Sequence, residues 1–195
     1  MDYRTALDVA KIGSVSAATM ARKVFLSFPT HAFASNQELE FELMDKVAQF
    51  FKVPFGGVQV VGSAKTGFSL IKGTEFNSMR SDLDIALVDR ELFGKYWEIA
   101  FKRSNGFEVG TFQLVGQDQK NASERRKRFL LLLQKGIISP DFFPQCVERG
   151  ELEAQFLDLS QGYSRYFAKI SAFIYASETF FEAKQVDAIN HYWYK

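Results

Sequence analysis

Apolar positions along the chain change period several times, and the changes divide it into elements. Residues 4–27 are rich in Ala and Val with Gly13 as the main interruption, which predicts one or two helices. Ser35 followed by Glu38 has the spacing of a capping box. Leu39, Leu43, Met44, Val47, Phe50 and Phe51 then recur at helical intervals until Pro54 and the Gly56-Gly57 pair. "VQVVGS" (58–63) reads as a short buried strand running into a turn. "AKTGFSLI" after it has the start of a helix, weakened by Gly67, and 72–81 is a polar loop. In "DLDIALV" (82–88), Leu83, Ile85 and Leu87 alternate with Asp82, Asp84 and Ala86, the period of a strand. Asp89 then caps a helix whose stripe is Leu92, Phe93, Tyr96, Trp97, Ala100 and Phe101.

The pattern weakens over 105–121, where "FEVGTFQLV" fits a strand or an extended loop. "SERRKRFLLLLQKG" predicts a helix from about Ser123 to Gly136, and Pro140 and Pro144 bracket a turn. "CVERGELEAQFLDLS" is helical, with a break allowed at Gly150. Alternation over 167–175 nominates "YFAKISAFIY" as the third strand. A last helix from about Ser177 carries Phe181, Val186, Ile189 and Trp193 on its apolar side. Neither an internal repeat nor a low-complexity linker is visible. The expectation is one α/β (α+β) domain over 1–195, a small mixed sheet flanked by helices. Residues 1–35 would form a helical extension, 37–104 the core, and 105–195 further helices plus the third strand.

Composition narrows the function classes. The chain has 195 residues, 47% of them hydrophobic, and 21 Phe, enough for a bulky core. A formal charge of +1 gives no global attraction to nucleic acid or membrane, so any electrostatic site is local. One cysteine, Cys146, and two histidines, His31 and His191, argue against a disulfide framework or a Cys/His metal centre. The N-terminus lacks a signal-like apolar region, and "FLLLLQKGII" is too short to span a bilayer. The expected setting is a reducing, cytoplasmic one without a membrane.

Two acids inside an apolar strand require a reason, because desolvating an unpaired carboxylate is costly. Period-two geometry puts Asp82 and Asp84 on one face, where they can share a hard divalent cation such as Mg²⁺, with Mn²⁺ as a substitute. The strand before them ends at Gly62-Ser63. Glycine there permits close backbone approach, and the Ser63 hydroxyl can bond a phosphate. Metal beside phosphate suits phosphoryl or nucleotidyl transfer.

"VVGSAKTGFS" followed by "SDLDIALV" resembles the signature of the DNA polymerase beta-like nucleotidyltransferase superfamily, over roughly 37–104. That resemblance implies a triphosphate held by Gly62 and Ser63, and catalytic Mg²⁺ held by Asp82 and Asp84. The implied activity is transfer of a nucleoside monophosphate from an NTP such as ATP, with release of pyrophosphate. RNA, a protein hydroxyl, another nucleotide or a small molecule would be the acceptor, and small members of this kind serve in bacterial antiviral defence and toxin–antitoxin pairs. Two departures stand out. The interval from Ser63 to Asp82 is long, and the third carboxylate usual in active members is missing from "YFAKISAFIY". Glu108 is the candidate replacement, with Asp158 behind it.

Each residue also has a plainer reading. Lys65 and Ser81 are candidate phosphate-side residues, against an exposed helix lysine and a loop contact; Arg80 is read like Ser81. The run 125–128, Arg-Arg-Lys-Arg, spreads around a helix and reads better as a solvated helix start than as an RNA patch. His191 reads as packing or surface. The alternative to an enzyme is a catalytically degenerate member that binds nucleotide or a partner protein without turnover. A third reading is an interaction module with a solvated Asp pair.

Overall fold

The computed structural model of the chain describes residues 2–116 and 118–195; Met1 and Gln117 fall outside them. Helix α1 (Tyr3–Ile12) is capped by Asp2, which accepts from the Arg4 and Thr5 amides. Helix α2 (Ala17–Arg22) is capped by Ser16 and widens into a π-helical turn, Lys23–Ser27. The next helix, α3 (Gln37–Phe51), takes Asn36 as its cap rather than Ser35, with the Asn36 side chain accepting from the Leu39 amide at 3.1 Å. Its C-terminus is left-handed at Lys52.

Strand β1 (Val58–Val61) passes directly into a single helical turn, α4 (Gly62–Thr66), which Gly67 ends at a φ of +86°. Strand β2 (Asp82–Val88) leads to α5 (Arg90–Arg103), capped by Asp89 with a 2.7 Å bond from the Leu92 amide. The segment holding Glu108 is not a strand. Positive φ at Asn105, Gly106 and Phe107 turns the chain there, and a 3₁₀ turn, Val109–Phe112, follows. This turn delivers Phe107 and Phe112 to Phe129 of α6 (Gln119–Gln134), which starts at the Asp118 cap, earlier than Ser123. Arg125 and Arg126 of the basic run are committed to the Phe112, Asp141 and Phe107 carbonyls.

Strand β3 (Ile137–Ile138), helix α7 (Val147–Gly162), strand β4 (Lys169–Tyr175) and helix α8 (Glu178–Tyr194) complete the chain. Helix α7 runs unbroken through Gly150, where a methyl would meet nothing within 4 Å. The sheet has the order β1-β2-β4-β3, with β1–β2 antiparallel, β2–β4 parallel and β4–β3 antiparallel. The architecture is thus an α/β fold with a small mixed sheet flanked by helices. No helix among the described residues is long and apolar enough to cross a membrane.

Each sheet face has its own core. Leu83, Ile85 and Leu87 of β2 and Ile170 and Ile174 of β4 pack against Leu43, Val47, Phe129 and Leu152 of the surrounding helices. On the opposite face Val61, Ala86 and Tyr175 meet Leu7, Met20, Phe181 and Ile189. Alternation along β2 and β4 fixes which residues go where. The second helical layer covers Ala86 and Tyr175 and stops short of Asp82 and Lys169, which are exposed. The acid pair therefore stands at the uncovered end of an otherwise buried face.

Candidate active site

Asp84 lies at the centre of this uncovered end. On one side its register partner is Val61, the residue before Gly62; on the other it is Ser171 of β4. The Ser171 hydroxyl donates to Asp84 Oδ1 at 2.6 Å. The second oxygen lies against the Gly62 backbone, where a β-carbon would come within 2.9 Å of Oδ2. Gly62 has a φ of +64°, a region that side-chain-bearing residues rarely adopt, so the turn needs glycine on two grounds. Sequence spacing placed Gly62 and the Asp pair together; Gly62 meets Asp84, while Asp82 stands beside Lys169.

Electrostatics follow from this packing. Burial pushes the Asp84 carboxyl above its ordinary value, the Ser171 hydrogen bond works against that shift, and the Asp82 charge reinforces it. Lys169 draws it down and Asp141 raises it, more weakly. Asp82 is exposed, and its Oδ2 is 4.0 Å from Lys169 Nζ. The Tyr175 phenol, buried on the same face, is raised by burial and then by the Asp84 charge. Together Gly62, Asp84, Phe173, Tyr175, Lys184 and Gln185 line a cavity of about 180 Å³.

The remaining candidates separate. Ser63 sits half-buried in the single turn α4, and its hydroxyl has no hydrogen-bond partner among the described residues. Lys65 is buried, donates to the Phe28 carbonyl at 2.7 Å and lines another cavity at the β1 edge, with Glu40. Its ammonium does not point into the space beside Gly62 and Asp84. Ser81 braces the loop before β2: its hydroxyl accepts from the Asn77 amide at 3.1 Å, and its own amide donates to the Asn77 carbonyl at 2.7 Å.

Glu108 is exposed at the head of the 3₁₀ turn, with Asn105 Nδ2 3.5 Å from its carboxylate. The chain reversal that carries Phe107 to α6 takes Glu108 with it, and it does not join the acid pair. Asp158 is exposed on α7 and lines a cavity with Lys46 and Phe50. Among the described residues no group of three Asp, Glu, His or Cys side chains is arranged to hold one metal ion.

What stands beside the pair on β4 is Lys169 opposite Asp82 and Ser171 opposite Asp84. Neither was singled out from sequence, although alternation in "KISAFIY" puts both on one face. Asp141, in the 3₁₀ turn Pro140–Phe142 after β3, was also missed; it lines a cavity of about 500 Å³ together with Lys169 and Ser171. Nothing local marked it, since the turn reaches the site only through the sheet.

Two same-face carboxylates and a serine hydroxyl are hard oxygen donors of the kind Mg²⁺ and Mn²⁺ take. Lys169 supplies a positive charge suited to phosphate oxygens. No protein-family model matches the chain, and no curated protein or solved structure does either.

Proposed function

We propose that the chain is a nucleotidyltransferase-like protein that binds a metal-chelated nucleoside triphosphate on its Asp82–Asp84 face without efficient nucleotidyl transfer. One observation carries this reading: beside the acid pair, β4 presents Lys169 and Ser171 where a third carboxylate would be needed. In this arrangement Asp82 and Asp84 would hold Mg²⁺, and Lys169 and the free Ser63 hydroxyl would meet phosphate oxygens. The metal supplies charge neutralisation and orientation of the phosphates. A general base for an acceptor hydroxyl has to be within hydrogen-bond reach of it. Asp82 and Asp84, committed to metal, leave that role unfilled.

Asp141 favours a second reading, that of an active transferase. Its charge reaches Asp84, and it lines a cavity continuous with Ser171. In that case Asp141 would receive the acceptor proton.

Isothermal titration with Mg²⁺ and each NTP, alongside a pyrophosphate-release assay with cell extract as acceptor source, tests both. Binding that needs Mg²⁺, is lost in Asp82→Ala/Asp84→Ala, and occurs without pyrophosphate release supports the first reading. Sustained release abolished by Asp141→Asn establishes the second. Absence of Mg²⁺-dependent binding overturns both.

A further inference from the structure

The sheet edge beyond β4 is open at one rung. The Ile170 amide points away from β2, because it donates to the Ser160 hydroxyl of α7 at 2.9 Å. The Ala176 amide points the same way, donating to the Gly136 carbonyl at 2.9 Å. Backbone groups of alternate residues in a strand face the same edge. Ala172 and Ile174 therefore also direct their N–H and C=O outward.

Ile174 is opposite Ile138 of β3, and continuing that register brings Pro140 opposite Ala172. Proline has no N–H to give the Ala172 carbonyl. The Pro140 carbonyl is in turn taken by the Phe143 amide at 3.2 Å, as the chain closes its 3₁₀ turn. Ala172 is 4% exposed, and its outward N–H and C=O have no partner among the described residues. Buried main-chain groups are rarely left unpaired. These two face the cavity of about 500 Å³ walled by Phe156, Leu157 and Phe173.

An extended peptide needs successive rungs, and its neighbours here are occupied: Ser160 serves Ile170 and β3 serves Ile174. A planar ring with one donor beside one acceptor needs only a single rung, which is the chemistry of a nucleobase edge. Apolar walls suit the faces of such a ring. The same cavity opens onto Lys169 and Ser171, next to the acid pair.

We infer that the cavity under α7 is a nucleobase site. The Ala172 N–H donates to a ring acceptor and the Ala172 carbonyl accepts from the adjacent ring or amino N–H. Phe156, Leu157 and Phe173 enclose the ring, with the phosphates directed past Ser171 toward Asp82 and Asp84. This rests on the proposed phosphate-and-metal role of that face for the second half of the ligand, but not for the base itself.

The test compares ATP, GTP, CTP, UTP, adenosine and inorganic tripolyphosphate, each with Mg²⁺, on the full chain. Alanine-selective ¹⁵N spectra report the Ala172 amide, assigned by its absence from Ala172→Gly. At least one NTP is expected to bind about tenfold more tightly than tripolyphosphate, a hydrogen-bonded ring's worth of contact, and to shift the Ala172 amide. Leu157 is 58% exposed, so Leu157→Trp fills the cavity mouth without disturbing the core. It is expected to bring NTP affinity down to that of tripolyphosphate and leave tripolyphosphate unchanged. Equal affinities for NTPs and tripolyphosphate, or an unmoved Ala172 amide, overturn the base site while leaving the phosphate reading intact. Adenosine binding with an Ala172 shift, but no tripolyphosphate binding, keeps the base site and removes the phosphate reading. Failure of every nucleoside and nucleotide to bind overturns both.

Discussion

Gly62→Ala is the sharpest structural perturbation of the site. Two penalties are expected. A left-handed conformation costs an alanine about 1–2 kcal/mol, and the φ of +64° imposes it. The added methyl would also sit 2.9 Å from Asp84 Oδ2, inside ordinary contact. Asp84 cannot yield freely, because Ser171 holds its other oxygen at 2.6 Å. If the carboxylate rotates away, a hydrogen bond to a charged group worth about 1.5–3 kcal/mol is lost. The total expected destabilisation is about 2.5–5 kcal/mol, which for a chain of this length lowers Tm by roughly 5–20 °C. Gly73→Ala is the control, since Gly73 has a φ of +75° and a methyl there meets nothing within 4 Å. It is expected to lose the conformational part alone. Urea denaturation of both variants, repeated in a Ser171→Ala background, measures the difference. Gly62→Ala should cost more than Gly73→Ala, and its excess should shrink when Ser171 is absent. Equal losses at the two glycines, or an excess indifferent to Ser171→Ala, would refute the contact between the turn and Asp84.

Asp84 also sets a pH dependence. With its pKa raised above 3.8 by burial, the folded chain holds that proton more tightly than the unfolded chain does. Its contribution to stability is therefore lost as pH rises from about that value through the raised one. Denaturation of Asp84→Asn across pH 3.5–7 should show this fall removed, and an unchanged slope would contradict the assignment. Phe129→Ala removes a fully buried ring that packs on Phe107, Phe112 and Phe143, and should cost about 3–5 kcal/mol in urea melts. A loss below 1 kcal/mol would mean this aromatic cluster is not core. Lys169→Glu adds a carboxylate facing Asp82 and should tighten binding of Mg²⁺ alone while weakening NTP binding. Calorimetric titration of each ligand reads both effects, and parallel changes in the two would argue against a phosphate role for Lys169.

Much of this fold is legible from local pattern. Period-two alternation located β2 and β4, and Asp89 capped α5 as its position suggested. The misses have nonlocal causes. Strand β3 is only two residues long, and it exists because β4 offers an edge to pair with. Around Glu108 the apolar residues mimic a strand, yet Phe107 and Phe112 are spaced to reach Phe129 across a turn rather than to alternate on a sheet. Gly62 and Asp84 were readable as a pair because a strand-end glycine and a facing acid follow from adjacent strands. Lys65 was readable as a cation but not as one buried toward Phe28, since that depends on how the turn Lys23–Ser27 packs. Asp141 carries no local signal at all.

On the proposed reading Lys169 and Ser171 stand where a third acid would be needed, and that changes more than the absence of a base. Two carboxylates beside one ammonium leave a single net negative charge, and burial of Asp84 reduces even that by favouring its protonated form. Bare Mg²⁺, which surrenders water reluctantly, has little reason to enter such a site. On the proposed reading a triphosphate would reverse the balance. Its oxygens would share the metal with Asp82 and Asp84, Lys169 would meet its charge, and the metal would favour the ionised form of Asp84. On the proposed reading metal and nucleotide are therefore strongly linked, each raising the affinity of the other by the same factor. Three carboxylates would prepay for the metal and leave the nucleotide to follow; on the proposed reading this site would instead respond to the two together. That linkage would suit recognition of a metal-chelated nucleotide, because the charge that the site lacks for either ligand alone is supplied when the two arrive together.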